Sequence, residues 1–463
     1  MAERDNSAAA PGPILTVAGQ CRLSGISRPL LAALQAELTI DNPKYHDAKK
    51  YGRWVGKNFQ KELFFWESDA AGIVFPRGFA AQAVALCRKY MGKGPEIRDR
   101  RRRLPEIDLR FTGHLRPYQK EAVDIVLRRH FGVLEAATGS GKTVMALMIM
   151  AQRRQPALII VHSRELMYQW QERIGQFLGI EAGLIGDSRF AIEPVSIAIV
   201  NTARKRLAEL TPCFGHLVVD ECHRVPATLF TEVVKRFDSY FMLGLSATAY
   251  RREDGLTRLI YLYMGDRSHQ VDSKKLAECG AVLQPRFIQR STGFKYVFRG
   301  NYQSLLNRLT RNEERNRQIV DDIAAEAGNA EGTILVVSDR VAHCQKLARL
   351  LAEKGLQASI LTGKQTTSQR AATVKSIHRG EVRILISTLQ LVGEGFDAAG
   401  LTTLFLTTPI KFTGRLRQVI GRILRPASGK EPKVIDYVDK HVGVLKNSAG
   451  IRLQAYQKDR DEA

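Results

Sequence analysis

One stretch constrains this chain more than any other: Ala136-Ala137-Thr138-Gly139-Ser140-Gly141-Lys142-Thr143. It follows an apolar run, residues 132–135, and leads into an apolar helical pattern, 144–150. In a strand–loop–helix of this kind, glycines let backbone N–H groups wrap closely around an anion. The helix N-terminus adds partial positive charge. Thr138, Gly139, Ser140 and Gly141 are expected to cradle phosphates, Lys142 to reach the β- and γ-phosphates, and Thr143 to hold Mg²⁺. Ala136 stands where the general pattern has its first glycine.

Such a loop needs a parallel sheet beneath it, and the sequence supplies one. Short apolar runs at 132–135, 157–162, 195–200, 216–219 and 241–245 each precede a helix-like segment, the signature of βαβ units. The rhythm pauses over 266–289 and restarts at 333–337, 358–361, 383–387, 402–407 and 433–437. The expected fold class is α/β: two tandem parallel-sheet domains, at 109–265 and 290–463, the second ending in a helix. Residues 266–289 are expected to connect them. A small α+β accessory domain at 14–108 and a loose tail at 1–13 precede them. Within the accessory region an amphipathic stretch (28–38), an aromatic run (62–66), a turn signal (76–78) and a helical pattern (80–91) can be read. The basic run 98–103 reads as a solvated linker or a phosphate contact.

A phosphate loop needs acids from a second strand. The apolar run 216–219 delivers Asp220 and Glu221 to its C-terminal end, where open α/β sheets bind ligands. Asp220 is expected to hold Mg²⁺ through water, and Glu221 to orient and deprotonate the attacking water.

Charge points to the partner. Lys and Arg number 70 against 47 acids, a formal net charge of +23. This excess favours a polyanion, because each neutralised phosphate releases a counterion. The six cysteines form no CxxC pair, which argues against zinc and iron–sulfur sites and for a reducing compartment. No apolar run reaches membrane-spanning length. A cytoplasmic protein is expected.

On these residues the chain resembles the superfamily 2 helicases. Asp220-Glu221-Cys222-His223 resembles their DExH box, Ser246-Ala247-Thr248 their SAT motif, and the segment from Gln418 through Gly421-Arg422 to Arg425 their QxxGRxxR motif. These occur in the family's order, over about residues 115–437. Leu115-Arg116-Pro117-Tyr118-Gln119 resembles the adenine-reading Q segment. Residues 162–170, Asn201-Thr202, Thr362-Gly363 and Ser387-Thr388 resemble backbone-contacting motifs. Gly393-Glu394-Gly395-Phe396-Asp397 resembles the motif that links ATP to the bound strand. Arg251 to Gly255, with the LRPYQ segment and Gln169-Trp170, is similar to the xeroderma pigmentosum B-type and phage branch-migration helicases. Ala249 replaces a proline common there, and the Arg-Glu-Asp spacing is one residue long.

The resemblance implies two RecA-like domains sharing one ATP, with Mg²⁺ as cofactor. Gln119, Gly395 and Asp397 would join the phosphate loop in binding nucleotide. Gln418, Arg422 and Arg425 would complete hydrolysis from the second domain. His223, Ser246 and Thr248 would couple hydrolysis to movement, while Arg164, Thr202, Gly363 and Thr388 would grip phosphates without reading bases. The expected activity is an ATP-dependent DNA helicase or translocase, 3′→5′ by subgroup, acting on forked or branched DNA. An RNA helicase, an ATP-gated binding switch and the motor subunit of a restriction complex stay open. In the accessory region, Phe59, Phe64, Phe65 and Trp66 read as core, or as stacking groups. Lys44, Lys49, Lys50, Arg53 and Lys57 read as duplex contacts.

Overall fold

The computed structural model describes all residues except 1–11, 51–59, 224–226, 248–255, 279, 281–282, 330–331, 364, 366, 394–399, 411–415, 417–418, 422, 424–429 and 462–463. The chain divides into two compact units, Met1–Ala136 with Thr143–Gln270, and Val271–Ala463 with Ala137–Lys142. The expected tail lies almost wholly outside the described residues.

The accessory region contains β1 (Ile14–Val17), β2 (Gln20–Ser24), β3 (Thr39–Asp41), β4 (Glu62–Phe64), β5 (Glu67–Asp69), β6 (Gly72–Pro76) and β7 (Glu96–Asp99). Five of them form a mixed sheet in the order β5-β6-β2-β1-β7, and β3 pairs with β4 alone. Helices Arg28–Glu37 and Ala80–Met91 carry the expected apolar stripes, burying Leu30, Leu34, Ala83 and Cys87. Pro at the first turn opens one helix, and Gly92, at φ 70°, closes the other.

The first large sheet contains β8 (Phe131–Glu135), β9 (Ala157–Val161), β10 (Gly183–Gly186), β11 (Arg189–Phe190), β12 (Val195–Ile199), β13 (His216–Val219), β14 (Phe241–Ser246) and β15 (Arg267–Gln270). Its order is β11-β10-β12-β9-β13-β14-β8-β15, parallel except for the β10–β11 hairpin. Strands β9 and β13 are buried at every position, because helices cover both faces of a parallel sheet.

The second unit has a six-stranded parallel sheet in the order β16-β21-β20-β17-β19-β18. Its strands are β16 (Arg286–Ser291), β17 (Thr333–Ser338), β18 (Ser359–Leu361), β19 (Ile384–Thr388), β20 (Leu401–Leu406) and β21 (Lys433–Val438). The chain closes with helix Gly443–Asp461.

Three findings differ from the sequence reading. Residues 266–289, expected as a connection, carry β15 and most of β16, each an edge strand of its sheet. Edge strands bury one side less completely, so β15 and β16 lack the solid apolar run of a central strand.

The accessory region does not stand apart. Its core residues, among them Leu23, Phe75 and Phe79, form one cluster with Val133, Phe237 and Tyr263 of the first large sheet's layer. Arg77, which falls in the turn signal 76–78, is fully buried. It donates to the Ser239 carbonyl at 2.8 Å and contacts the Met242 sulfur at 3.0 Å. A Cβ on Gly78 would stand 2.4 Å from the Tyr261 carbonyl oxygen, so only glycine lets these backbones approach so closely.

Two arginines of the basic run are also absorbed. Arg101 pairs with Asp99 at 2.7 Å and lies over the Tyr240 ring, and Arg102 pairs with Asp238 at 3.0 Å. These two arginines fasten the accessory strand to the first large sheet, which is neither of the roles expected of them.

Candidate active site

The geometry of the site begins with strand order. In the first sheet β14 lies between β13, which ends at the acids, and β8, which leads into the glycine loop. The register Ser246↔Glu135 puts the end of β14 level with the end of β8. All three chemistry-bearing strand ends therefore leave the sheet at one edge, as its parallel topology requires.

The glycine loop has the backbone an anion cradle needs. Gly139 has φ +88° and Gly141 φ +83°, left-handed values that side-chain-bearing residues avoid. Open space surrounds the position a Cβ would take on Gly139. Ser140 is buried and closes the loop, its hydroxyl donating to the Ala137 carbonyl at 2.7 Å. Lys142 is the first residue of helix Lys142–Arg153, and its ammonium reaches back to the same carbonyl at 3.4 Å. An ammonium and a helix N-terminus facing a left-handed loop fit a polyphosphate. Ala136 is buried and donates its N–H to the Ser246 carbonyl at 3.0 Å. The tie to β14 is made by the backbone, so the residue that departs from the general pattern makes it as glycine would.

Asp220 and Glu221 follow β13. Asp220 is nearly buried and accepts the Trp170 indole N–H at 2.8 Å and the Glu221 amide at 2.9 Å. Trp170, from helix Arg164–Leu178, is a residue whose part the sequence did not reveal, although it lies within a recognised segment. Glu221 has φ +46°, a strained value for glutamate, and its carboxylate lies beside His223. The two approach to 3.3 Å, and the same His223 Nδ1 lies 2.9 Å from the Ser246 hydroxyl. A polar chain therefore runs from Glu221 through His223 and Ser246 to the backbone entering the glycine loop.

Thr143 is the half-buried second residue of its helix, the place from which a hydroxyl and Asp220 could together hold a divalent cation. Gln119 is buried in the first turn of helix Pro117–Leu127, where its Oε1 accepts the Arg116 amide at 2.9 Å. Arg164 is half exposed and paired with Asp187 at 2.9 Å, and the Tyr168 hydroxyl donates to the other oxygen of that carboxylate at 2.8 Å. Asp187 carries no motif signal and was missed. Charge-assisted bonding from Arg164 and Tyr168 lowers its pKa from the ordinary carboxylate value.

Thr202 is half-buried on helix Val200–Lys205, Gly363 is exposed after β18, and Thr388 ends β19. Thr248, Gly395, Asp397, Gln418, Arg422 and Arg425 lie outside the described residues. So do Arg53, Lys57 and Phe59, and the side chains of Lys44 and Lys50. Lys49 is exposed. Of the aromatics expected as core, Phe65 and Trp66 are half-buried, but Phe64 is 52% exposed. It stands on the short β3–β4 pair, which leaves one face open to solvent.

Comparison with known proteins agrees with this architecture. The family profile "Type III restriction enzyme, res subunit" matches residues 112–251, and "Helicase conserved C-terminal domain" matches 315–427. The chain belongs to the superfamily 2 helicases. It is 25% identical over 378 residues to the DNA 3′-5′ translocase XPB2 of Sulfurisphaera tokodaii, covering 70% of this chain and 82% of that one. It is 28% identical over 376 residues to a protein of Acanthamoeba polyphaga mimivirus whose name calls it an ATP-dependent RNA helicase, covering 77% of this chain and 70% of that one. The fold is similar to that of Saccharomyces cerevisiae Dbp5 bound to RNA and ADP BeF3, with TM-score 0.54, 18% identity and coverage of 75% and 88%. This superfamily 2 helicase is thus built for ATP-dependent work on nucleic acid, on RecA-like sheets. Among its described residues, no helix is long and apolar enough to cross a membrane.

Proposed function

We propose that this helicase hydrolyses ATP to move 3′→5′ along DNA and remodel forked or branched duplexes. The observation that carries the hydrolytic part is the polar chain Glu221–His223–Ser246 ending on the backbone of the phosphate loop. A change at the phosphates is felt at Ser246 through the Ala136 bond, and a change at Ser246 is felt at Glu221 through His223.

ATP supplies the phosphoanhydride whose cleavage drives the cycle. Lys142 and the loop amides bind the phosphates, and Thr143 and Asp220 would hold Mg²⁺. Trp170 keeps the Asp220 carboxylate fixed, so the acid costs little reorganisation when charge develops. Glu221 orients the attacking water and accepts its proton. Gln418, Arg422, Arg425, Gly395 and Asp397 are assigned by resemblance to completing this chemistry, and Thr248 to coupling. Arg164, Thr202, Gly363 and Thr388 grip the strand. Gln119 reads adenine with its amide group, its carbonyl oxygen being engaged by Arg116.

DNA is favoured by the similarity of residues 251–255 to repair and branch-migration helicases and by the relative named a DNA translocase. RNA is the second reading, favoured by the mimivirus relative. The deciding experiment measures ATPase stimulation and strand separation on single strands, tailed duplexes, forks and four-way junctions, in DNA and RNA. Forked or four-way DNA is expected to stimulate most. Stimulation by RNA alone would overturn the DNA assignment, and Arg422→Ala turnover equal to wild type would remove the arginine role.

A further inference from the structure

The second unit carries a surface that none of the helicase motifs explains. After β16 the chain runs Thr292-Gly293-Phe294-Lys295-Tyr296-Val297-Phe298-Arg299 before helix Tyr302–Arg311. With that helix it forms an open groove of about 560 Å³. Lys295, Tyr296, Val297, Arg308 and Arg311 line it, and no acid does. Glu313, the nearest acid in sequence, pairs with Arg317 at 3.6 Å.

The groove is firmly backed. Phe294 is buried with Leu305, Leu306 and Leu309 in a small core that also takes Val442 and Leu445 from the chain's last segment. The Tyr296 ring lies parallel to Phe294, with centroids 6.4 Å apart and planes 7° apart, so its orientation is set by the core. Arg308 and Arg311 lie three apart on the helix and share one face. Val297 is 76% exposed and Phe298 39%, an unusual place for two large apolar side chains to be left beside cations.

We propose that this groove binds single-stranded nucleic acid outside the motif-lined track, with phosphates on Arg308, Arg311 and Lys295 and an unstacked base against Tyr296 and Val297. The cations alone would serve a duplex equally well. The apolar and aromatic surface would not, because the bases of a duplex are stacked on one another and present no free face. An ordered ring among cations is what a strand with unstacked bases recognises.

This inference rests on the nucleic-acid motor reading, and the test separates the two. Binding of a fluorescent single strand of about twenty nucleotides, and of a blunt duplex of equal length, is measured by anisotropy across a salt series. The full-length proteins compared are wild type, Arg308→Ala/Arg311→Ala, Tyr296→Leu and a control, Arg286→Ala/Arg349→Ala. The control removes the same charge from exposed positions elsewhere on the unit. Unchanged thermal midpoints establish that the variants fold. The groove double variant is expected to bind the single strand about tenfold more weakly, with a salt slope shallower by about one to two and duplex affinity within about twofold. Tyr296→Leu, which removes the ring but keeps an apolar side chain and the charge, is expected to weaken single-strand binding several-fold without changing the slope. If wild type binds no nucleic acid, the motor reading falls and this inference with it. If wild type binds and the groove variants match it, lose duplex binding equally or behave as the control does, this inference alone is overturned.

Discussion

At the scale of single residues, the site is held by groups whose own chemistry is not catalytic. Trp170 is the clearest case. Its indole N–H to the nearly buried Asp220 carboxylate, at 2.8 Å, satisfies an acceptor that water reaches poorly. Hydrogen bonds to charged groups contribute about 1.5–3 kcal/mol, and an unsatisfied buried partner loses that and its solvation. Trp170→Phe keeps the ring and removes the donor. It is expected to lower stability by about 2 kcal/mol and turnover about tenfold while nucleotide binding persists, read by denaturant unfolding and steady-state ATPase. A turnover equal to wild type would mean that Asp220 needs no such anchor. Glu221→Gln is a sharper probe of chemistry, because it keeps size and shape and removes the basic, charged carboxylate. Hydrolysis is expected to fall by at least about a hundredfold with ATP still bound. Brisk single-turnover hydrolysis would take the base assignment away.

At the scale of elements, the sequence showed central strands well and edges poorly. The runs at 157–162 and 216–219 predicted β9 and β13 within a residue because both strands are buried on each face, and burial writes a continuous apolar run. Strands β10, β15 and β16 were missed. Two are sheet edges, and β10 reads Gly-Leu-Ile-Gly, whose glycines look like turn signals. Arg77 was illegible for a different reason: an arginine next to a proline and a glycine gives no local sign of entering a core. Its burial makes the segment Pro76–Phe79 a wedge, and Gly78→Ala tests it. The added Cβ would meet carbonyl oxygens of Tyr261 and Leu262 at 2.4 and 2.6 Å, and backbone yields less than a side chain. A loss of about 1–3 kcal/mol is expected for such overpacking. An unaltered unfolding curve would show the packing to be looser than it looks.

The second unit holds a matching device in His343, buried between Asn316 Oδ1 and Ser338 Oγ, each at 2.9 Å. Asn316 donates its own amide to the Thr310 carbonyl, so Oδ1 faces the ring and Nε2 carries the proton. Burial, with Arg315 and Lys346 nearby, pushes the His343 pKa down to about 3. The unfolded chain therefore takes up this proton first. The stability that the neutral ring contributes is full above about pH 6.5 and drains as pH falls towards 3, by about 1.4 kcal/mol per pH unit. Unfolding of wild type and His343→Gln between pH 4 and 7 is expected to differ in slope by close to one proton. Parallel slopes would show that the ring protonates in the folded state.

At the scale of the whole molecule, the charge of +23 led the sequence reading to a polyanion, and the structure qualifies how much of it can act. Arg77 and Arg153 are both buried, and burial pushes their pKa values down to about 10 and about 9. They donate to carbonyls, and contact a thioether and a histidine ring, rather than carboxylates, so they add to the formal total without offering a phosphate anything. Arg101 and Arg102 fasten the accessory strand, and Arg315 and Arg452 are buried against Asp439 and Asp436. Among the described residues, Arg164, once it leaves Asp187, and the groove formed by Lys295, Arg308 and Arg311 are exposed cations in places that suit a strand. Salt dependence distinguishes a general basic coat from this short set. For a single strand the slope of log K against log salt is about −0.7 per phosphate neutralised. Four to six contacts predict a slope between about −3 and −4, far shallower than the net charge would suggest. A slope steeper than about −8 would mean that strand binding is a diffuse property of the surface, and that the built contacts contribute little of the affinity.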